Sequence, residues 1–134
     1  AAAERYGLIA NIDRWVVEHA FRWLVSEADE RERLALCSIN LSGHSLADNE
    51  FLPFVIRQFQ RSGLDASKIC FEITETAAIH SFAQASRFIN ALRELGCKFA
   101  LDDFGTGLSS FGYLKHFPVD FIKIDGSFVK EMLH

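Results

Sequence analysis

Four short apolar runs, each carrying a polar or charged residue near its end, constrain this chain more than any other feature. They are Cys37 to Leu41 with Asn40, Ile69 to Ile73 with Glu72, Phe99 to Leu101 leading into Asp102-Asp103, and Phe121 to Asp125 with Lys123 and Asp125. Side chains alternate along an extended segment, so Ser38 and Asn40, Cys70 and Glu72, Ala100 and Asp102, and Lys123 and Asp125 share one face. Ile122 and Ile124 take the other face, where apolar groups can pack on helices. Small residues then lie beneath each polar group, an arrangement expected at the mouth of a parallel sheet.

Helical periodicity separates these runs. It is clearest at Leu8, Ile12, Trp15, Val16 and Ala20, at Leu52, Val55, Ile56 and Phe59, and at Phe82, Ala85, Phe88, Ile89, Leu92 and Leu95. These stripes are expected to be core. Ser81 with Gln84 reads as a capping box, and Gly63 and Gly96 read as C-terminal stops. Ser42 to Asn49, the longest polar interruption, reads as a loop. Alternating strand and helix predicts parallel pairing, right-handed crossovers and helices outside. An eight-stranded barrel of such units needs roughly 250 residues, and the 134 residues here supply about four of the units. No linker or low-complexity tract divides the chain, so one domain is expected.

Asp102-Asp103-Phe104-Gly105-Thr106-Gly107 is the segment that points to chemistry. Two adjacent carboxylates at a buried strand end repel each other unless a cation sits between them, which suggests a divalent metal. The glycines permit a sharp turn, and Ser109 and Ser110 offer capping chemistry with amides that suit phosphate oxygens. Taken alone, Asp103-Phe104-Gly105 also matches the magnesium motif of protein kinases. The chain lacks the Gly-rich phosphate loop and His-Arg-Asp loop that reading requires.

Composition narrows the class. A net charge of −4 gives no footprint for a DNA or RNA polymer or an anionic membrane, so an anionic ligand would need a local cation. No apolar run approaches the roughly 20 residues of a membrane span. Cys37, Cys70 and Cys97 show neither zinc spacing nor a disulfide framework, and buried thiols in a reducing cytoplasm are expected. The five histidines are scattered and form no metal motif. The absence of an initiator Met and of a leader pattern leads us to expect a segment of a longer protein.

Asn40-Leu41-Ser42, Glu72-Ile73-Thr74-Glu75, Asp102 to Gly107 and Lys123-Ile124-Asp125, in this order and spacing, resemble the EAL domain family. The likeness extends from Ala3 to Val129. It implies a partial (β/α) TIM-type barrel, with the family's Glu-Ala-Leu strand expected before residue 1 and further units after Met132. It also implies hydrolysis of the bacterial second messenger cyclic di-GMP to linear pGpG with Mg2+ or Mn2+ in a two-metal site. By this resemblance Asn40, Glu72 and Asp102 are metal ligands, with Asp102 bridging to a second ion held partly by Asp103. Lys123 orients the nucleophilic water and phosphate, Asp125 supports that site, Glu75 anchors the loop from Asp103 to Ser110, and Thr106 braces it. Leu108 departs from the family pattern, where an aromatic residue is more usual.

The site as the resemblance draws it is incomplete within these residues, so the isolated chain is expected to have little hydrolytic activity. The alternative is a cyclic di-GMP receptor that binds without hydrolysis. A homodimer, attached sensory or GGDEF domains, and a cytoplasmic location with or without a membrane-tethered parent complete the expectations.

Overall fold

The computed structural model describes residues 2–104 and 119–124. The elements run α1 (Ala2–Ser26), α2 (Ala28–Arg33), β1 (Cys37–Leu41), α3 (Gly43–Ala47), α4 (Phe51–Ser62), a 3-10 turn (Ala66–Lys68), β2 (Ile69–Thr74), α5 (Glu75–His80), α6 (Phe82–Leu95), β3 (Lys98–Phe104) and β4 (Phe121–Ile124). All strand pairs are parallel, and the sheet order is β1-β2-β3-β4. Each strand therefore pairs with the next in sequence, as a (β/α) barrel wound in one direction requires.

The amphipathic helices α4 and α6 cover one side of the sheet. Buried Phe51, Phe54, Val55 and Phe59 of α4 and Ala85, Phe88, Ile89 and Leu92 of α6 meet Ile39, Phe71, Ile73, Phe99 and Leu101 from the strands. Phe88 is central. Its ring centroid lies 5.9 Å from those of Phe51 and Phe71 and 6.0 Å from that of Phe99, spacings at which aromatic pairs add to the area they bury. Both helices stop at the expected glycines. Gly63 has φ 68° and Gly96 φ 106°, left-handed conformations that a Cβ would penalise, and each donates its N–H back into the last helical turn. Pro53 falls in the first turn of α4, where no intrahelical donor is needed.

Four expectations are corrected. Phe82 and Leu95, assigned to the core stripe of α6, lie at its two ends and are exposed, the buried face running from Ala85 to Leu92. The buried stripe of α1 is Val17, Phe21 and Leu24 together with Asp13, whereas Leu8, Ile12 and Trp15 are exposed. The periodicity was right but its phase lay about one residue off, because the polar Asp13 interrupts the true stripe. Phe21 packs edge-on against Phe59 of α4 at 4.7 Å, while Val16 and Ala20 flank the core. The polar stretch 42–49 is not a loop throughout, since it contains α3, capped by the Ser42 hydroxyl that accepts the Ser45 N–H. Ser81 makes no side-chain cap to α6. Its N–H already closes α5 on Ala77 and its carbonyl accepts the Ala85 N–H, so one residue joins two helices through its backbone.

Candidate active site

The parallel register brings the expected site residues to one end of the sheet. Asn40 pairs with Glu72, Glu72 pairs with Ala100, and Thr74 pairs with Asp102. Asn40 and Glu72 thus stand level on adjacent strands, about 4.8 Å apart in strand spacing, with Asp102 two residues further along β3. Between Leu101 and Phe104 the register with β4 shifts. Asp103 lies at this irregularity with φ 54°, the only non-glycine residue at positive φ among those described. Such bulges re-aim side chains next to active sites, and aspartate tolerates the left-handed region better than most residues. The Asp103 N–H donates to Asp102 Oδ1 at 2.9 Å.

Glu72 is buried, and a carboxylate out of water needs a partner. Lys123 reaches across from β4, and its ammonium donates a hydrogen bond to Glu72 Oε1. That hydrogen bond is the main reason the Lys123 pKa is raised above its ordinary value, with the charges of Glu72 and Asp102 adding to it. Lys123 therefore stays cationic through neutral pH. Beneath the pair, Ser38, Cys70, Glu72, Ala100, Phe121 and Lys123 line a cavity of about 360 Å3, within the size range of small-molecule sites. The expected common face is thereby observed for these strands. Ile122, assigned to the opposite face, also borders the cavity.

Cys70 sits in the cavity floor with its thiol pushed up to about 11 by burial and then by the negative charges of Glu72 and Asp120. It is protonated at neutral pH, and a thiol is a soft donor that suits a hard divalent cation less well than oxygen does. The remaining donors are the oxygens of Asn40, Glu72, Asp102 and Asp103, a set that fits a hard divalent cation. Among the described residues no three His, Cys, Asp or Glu side chains converge closely enough to hold a metal ion. Glu72 is instead engaged by Lys123. Glu75, the first residue of α5, is fully buried, and Thr74 caps that helix by accepting the Ala77 N–H at 3.1 Å. Thr106 and Asp125, with Gly105, Gly107, Leu108, Ser109 and Ser110, lie outside the described residues.

Two polar clusters that support the site had no motif to reveal them. Asp13 binds Ser42 and Ser45, and Asp120 accepts from Arg93 at 2.8 Å and from the Phe99 N–H at 2.9 Å. The available signal for Asp13 was its place four and eight residues before Val17 and Phe21. An acid at that spacing must be buried with its helix face.

A parallel α/β sheet with carboxylates and an amine gathered at the C-terminal ends of its strands is the layout of a TIM-barrel-like domain whose chemistry sits at that face. The chain belongs to the EAL domain family, which it matches over residues 1–134. It is 44% identical over 132 residues to the cyclic di-GMP phosphodiesterase PdeB of Shewanella oneidensis, covering 98% of this chain and 15% of that protein. It is 36% identical over 133 residues to the cyclic di-GMP phosphodiesterase PdeF of Escherichia coli, covering 98% of this chain and 17% of that protein. The chain thus spans less than a fifth of the length of these curated relatives. Among solved structures, the FimX EAL domain of Pseudomonas aeruginosa bound to c-di-GMP superposes with a TM-score of 0.83 at 34% identity, over 99% of this chain and 52% of that one. The PaMucR phosphodiesterase in complex with c-di-GMP gives a TM-score of 0.83 at 33% identity, over 99% and 54%.

Proposed function

We propose that this chain is part of a cyclic di-GMP phosphodiesterase, a metal-dependent hydrolase that opens the cyclic dinucleotide to linear pGpG. The observation that carries the reading is the convergence of Glu72 and Lys123 at the mouth of a cavity of about 360 Å3, with Asn40 level with Glu72 in the register and Asp102 just above. Support comes from relatives named for this activity and from similar EAL domains with c-di-GMP bound.

EAL phosphodiesterases are metal-dependent as a class, and Asn40, Glu72, Asp102 and Asp103 are the residues here that would hold Mg2+ or Mn2+. A divalent cation held by them would supply neutralisation of phosphate charge and a more acidic water at neutral pH. The chain's own part is to position and to donate. Lys123, cationic at neutral pH, can hydrogen bond an anionic phosphate oxygen or the attacking water. Asn40 contributes an amide that does not titrate, so its hold is independent of pH. The small residues Ser38, Cys70 and Ala100 leave room beneath these groups.

Chromatography of cyclic di-GMP incubated with Mn2+ and the longer protein that contains this segment tests the reading. Conversion to pGpG is expected, with Glu72→Gln lowering turnover at least 100-fold while leaving thermal melting near that of the parent. Binding without conversion would favour a receptor that does not hydrolyse, and no binding would overturn both readings. The 134-residue segment alone is expected to convert little or none, because the family likeness places further ligands outside it. A homodimer in the cytoplasm, coupled to sensory or GGDEF domains, is part of the same proposal, and light scattering tests the oligomeric state.

A further inference from the structure

We propose that Asp13 is a positioning residue for this site, its carboxylate fixing the turn that presents Asn40 beside Glu72. The inference rests on the reading of Asn40 as a functional group of the site. Asp13 is buried on α1, and its Oδ2 accepts from the Ser42 N–H at 2.9 Å, the Ser42 hydroxyl at 2.7 Å and the Ser45 hydroxyl at 2.5 Å. Hydrogen bonds to a charged acceptor are roughly twice as strong as neutral ones. Here all three converge on one oxygen and come from the turn that begins two residues after Asn40.

The turn is a junction. Ser42 follows β1 directly and caps α3, its Oγ accepting the Ser45 N–H at 3.3 Å while its own hydrogen goes to Asp13. Helix α3 in turn lies against α5, where a Cβ on Gly43 would stand 3.4 Å from Ala77 Cβ. Helix α5 follows directly from β2, the strand that carries Glu72. The carboxylate therefore sets the exit of β1 against the exit of β2 at the level where Asn40 and Glu72 pair. A charge is an expensive means of filling an interhelical contact, since well-packed apolar groups often serve stability as well or better. It does impose direction, because three donors must point at one atom.

The neighbouring residue supplies a control. Arg14 bonds Asp48 at the C-terminal cap of α3, at 3.0 Å. It thus holds the far end of the same short helix without touching the strand exit.

The experiment is NMR on the isotopically labelled, metal-free chain, comparing Asp13→Ala, Asp13→Asn, Ser45→Ala and Arg14→Met. In Asp13→Ala the amide exchange of Ser42 and Ser45 is expected to rise at least tenfold, and the side-chain amide resonance of Asn40 to shift. Arg14→Met, compared at an equal distance below its own melting temperature, should leave Asn40 in place. Asp13→Asn, which keeps an acceptor, should restore part of the native shift. If Asp13→Ala fails to fold, Ser45→Ala is expected to move Asn40 in the same direction by less. Mn2+ titration adds a second reading, in which the midpoint of paramagnetic broadening at Asn40 and Glu72 rises at least threefold in Asp13→Ala but not in Arg14→Met. An unmoved Asn40 in both Asp13→Ala and Ser45→Ala, or equal effects from Arg14→Met, would overturn the proposal. If the unsubstituted chain shows no Mn2+ broadening while Asp13→Ala still moves Asn40, the metal reading fails and the positioning role stands.

Discussion

Lys123 and Glu72 form a contact on which the fold depends, whatever chemistry is proposed for it. Removing the amine leaves a buried carboxylate unpaired, which is far worse than having no charges there. Lys123→Met is expected to lower the melting temperature, and the double variant Lys123→Met with Glu72→Gln to recover more than half of the loss in calorimetry. Because the folded-state value of Lys123 lies above its unfolded one, this contribution is complete below about pH 10.4 and fades as pH rises through the higher value. The buried thiols add to that alkaline sensitivity. Cys70 is pushed up to about 11 and Cys97 to about 12 from an ordinary 9.0, in both cases first by burial. The unfolded chain releases these protons sooner, so stability should decline as pH climbs above 9. Denaturant midpoints at pH 8 and pH 10 check this, and Cys97→Ala should flatten the decline.

At the scale of elements, strand β4 is held in register by a residue that belongs to no strand. Asp120 accepts from Arg93 of α6 and from the Phe99 N–H of β3, and its own N–H donates to the Phe99 carbonyl at 2.8 Å. Asp120→Ala removes the side-chain bonds and leaves the Phe99 amide without that acceptor. A loss of about 1–3 kcal/mol is expected in chemical denaturation, with Lys123 reporting it as weakened pairing to Glu72. This tie was not legible in the sequence, where Asp120 is simply an acid after Pro118-Val119. The strands themselves were legible as short apolar runs, each with a polar residue near its end, set between helical stripes. The phase of α1 was not, since a helix stripe that includes a buried Asp13 scores worse than the wholly apolar one beside it. For the candidate site, strand parity placed Asn40, Glu72, Asp102 and Lys123 at one end of the sheet, and only the family resemblance suggested roles for them. The left-handed turn at Asp103 was hidden, because it depends on a register shift between two strands and not on local residue preference.

Across the whole molecule, the Phe-rich composition resolves into a core with Phe88 at its centre. Phe88→Ala is expected to cost about 3–5 kcal/mol, a large share of the 5–15 kcal/mol typical of a domain, and urea unfolding would measure it. Among the described residues, no helix is long and apolar enough to cross a membrane, yet Leu8, Ile12, Trp15 and Trp23 remain exposed along α1. The strand order β1-β2-β3-β4 carries a further consequence. Each strand finds its partner in the segment made just before it, so pairing can advance from the N-terminus while the chain is still being synthesised. Lys123 arrives on the last of these strands. Were pairing to advance in that order, Glu72 would be enclosed between β1 and β3 before its counter-ion joins the sheet.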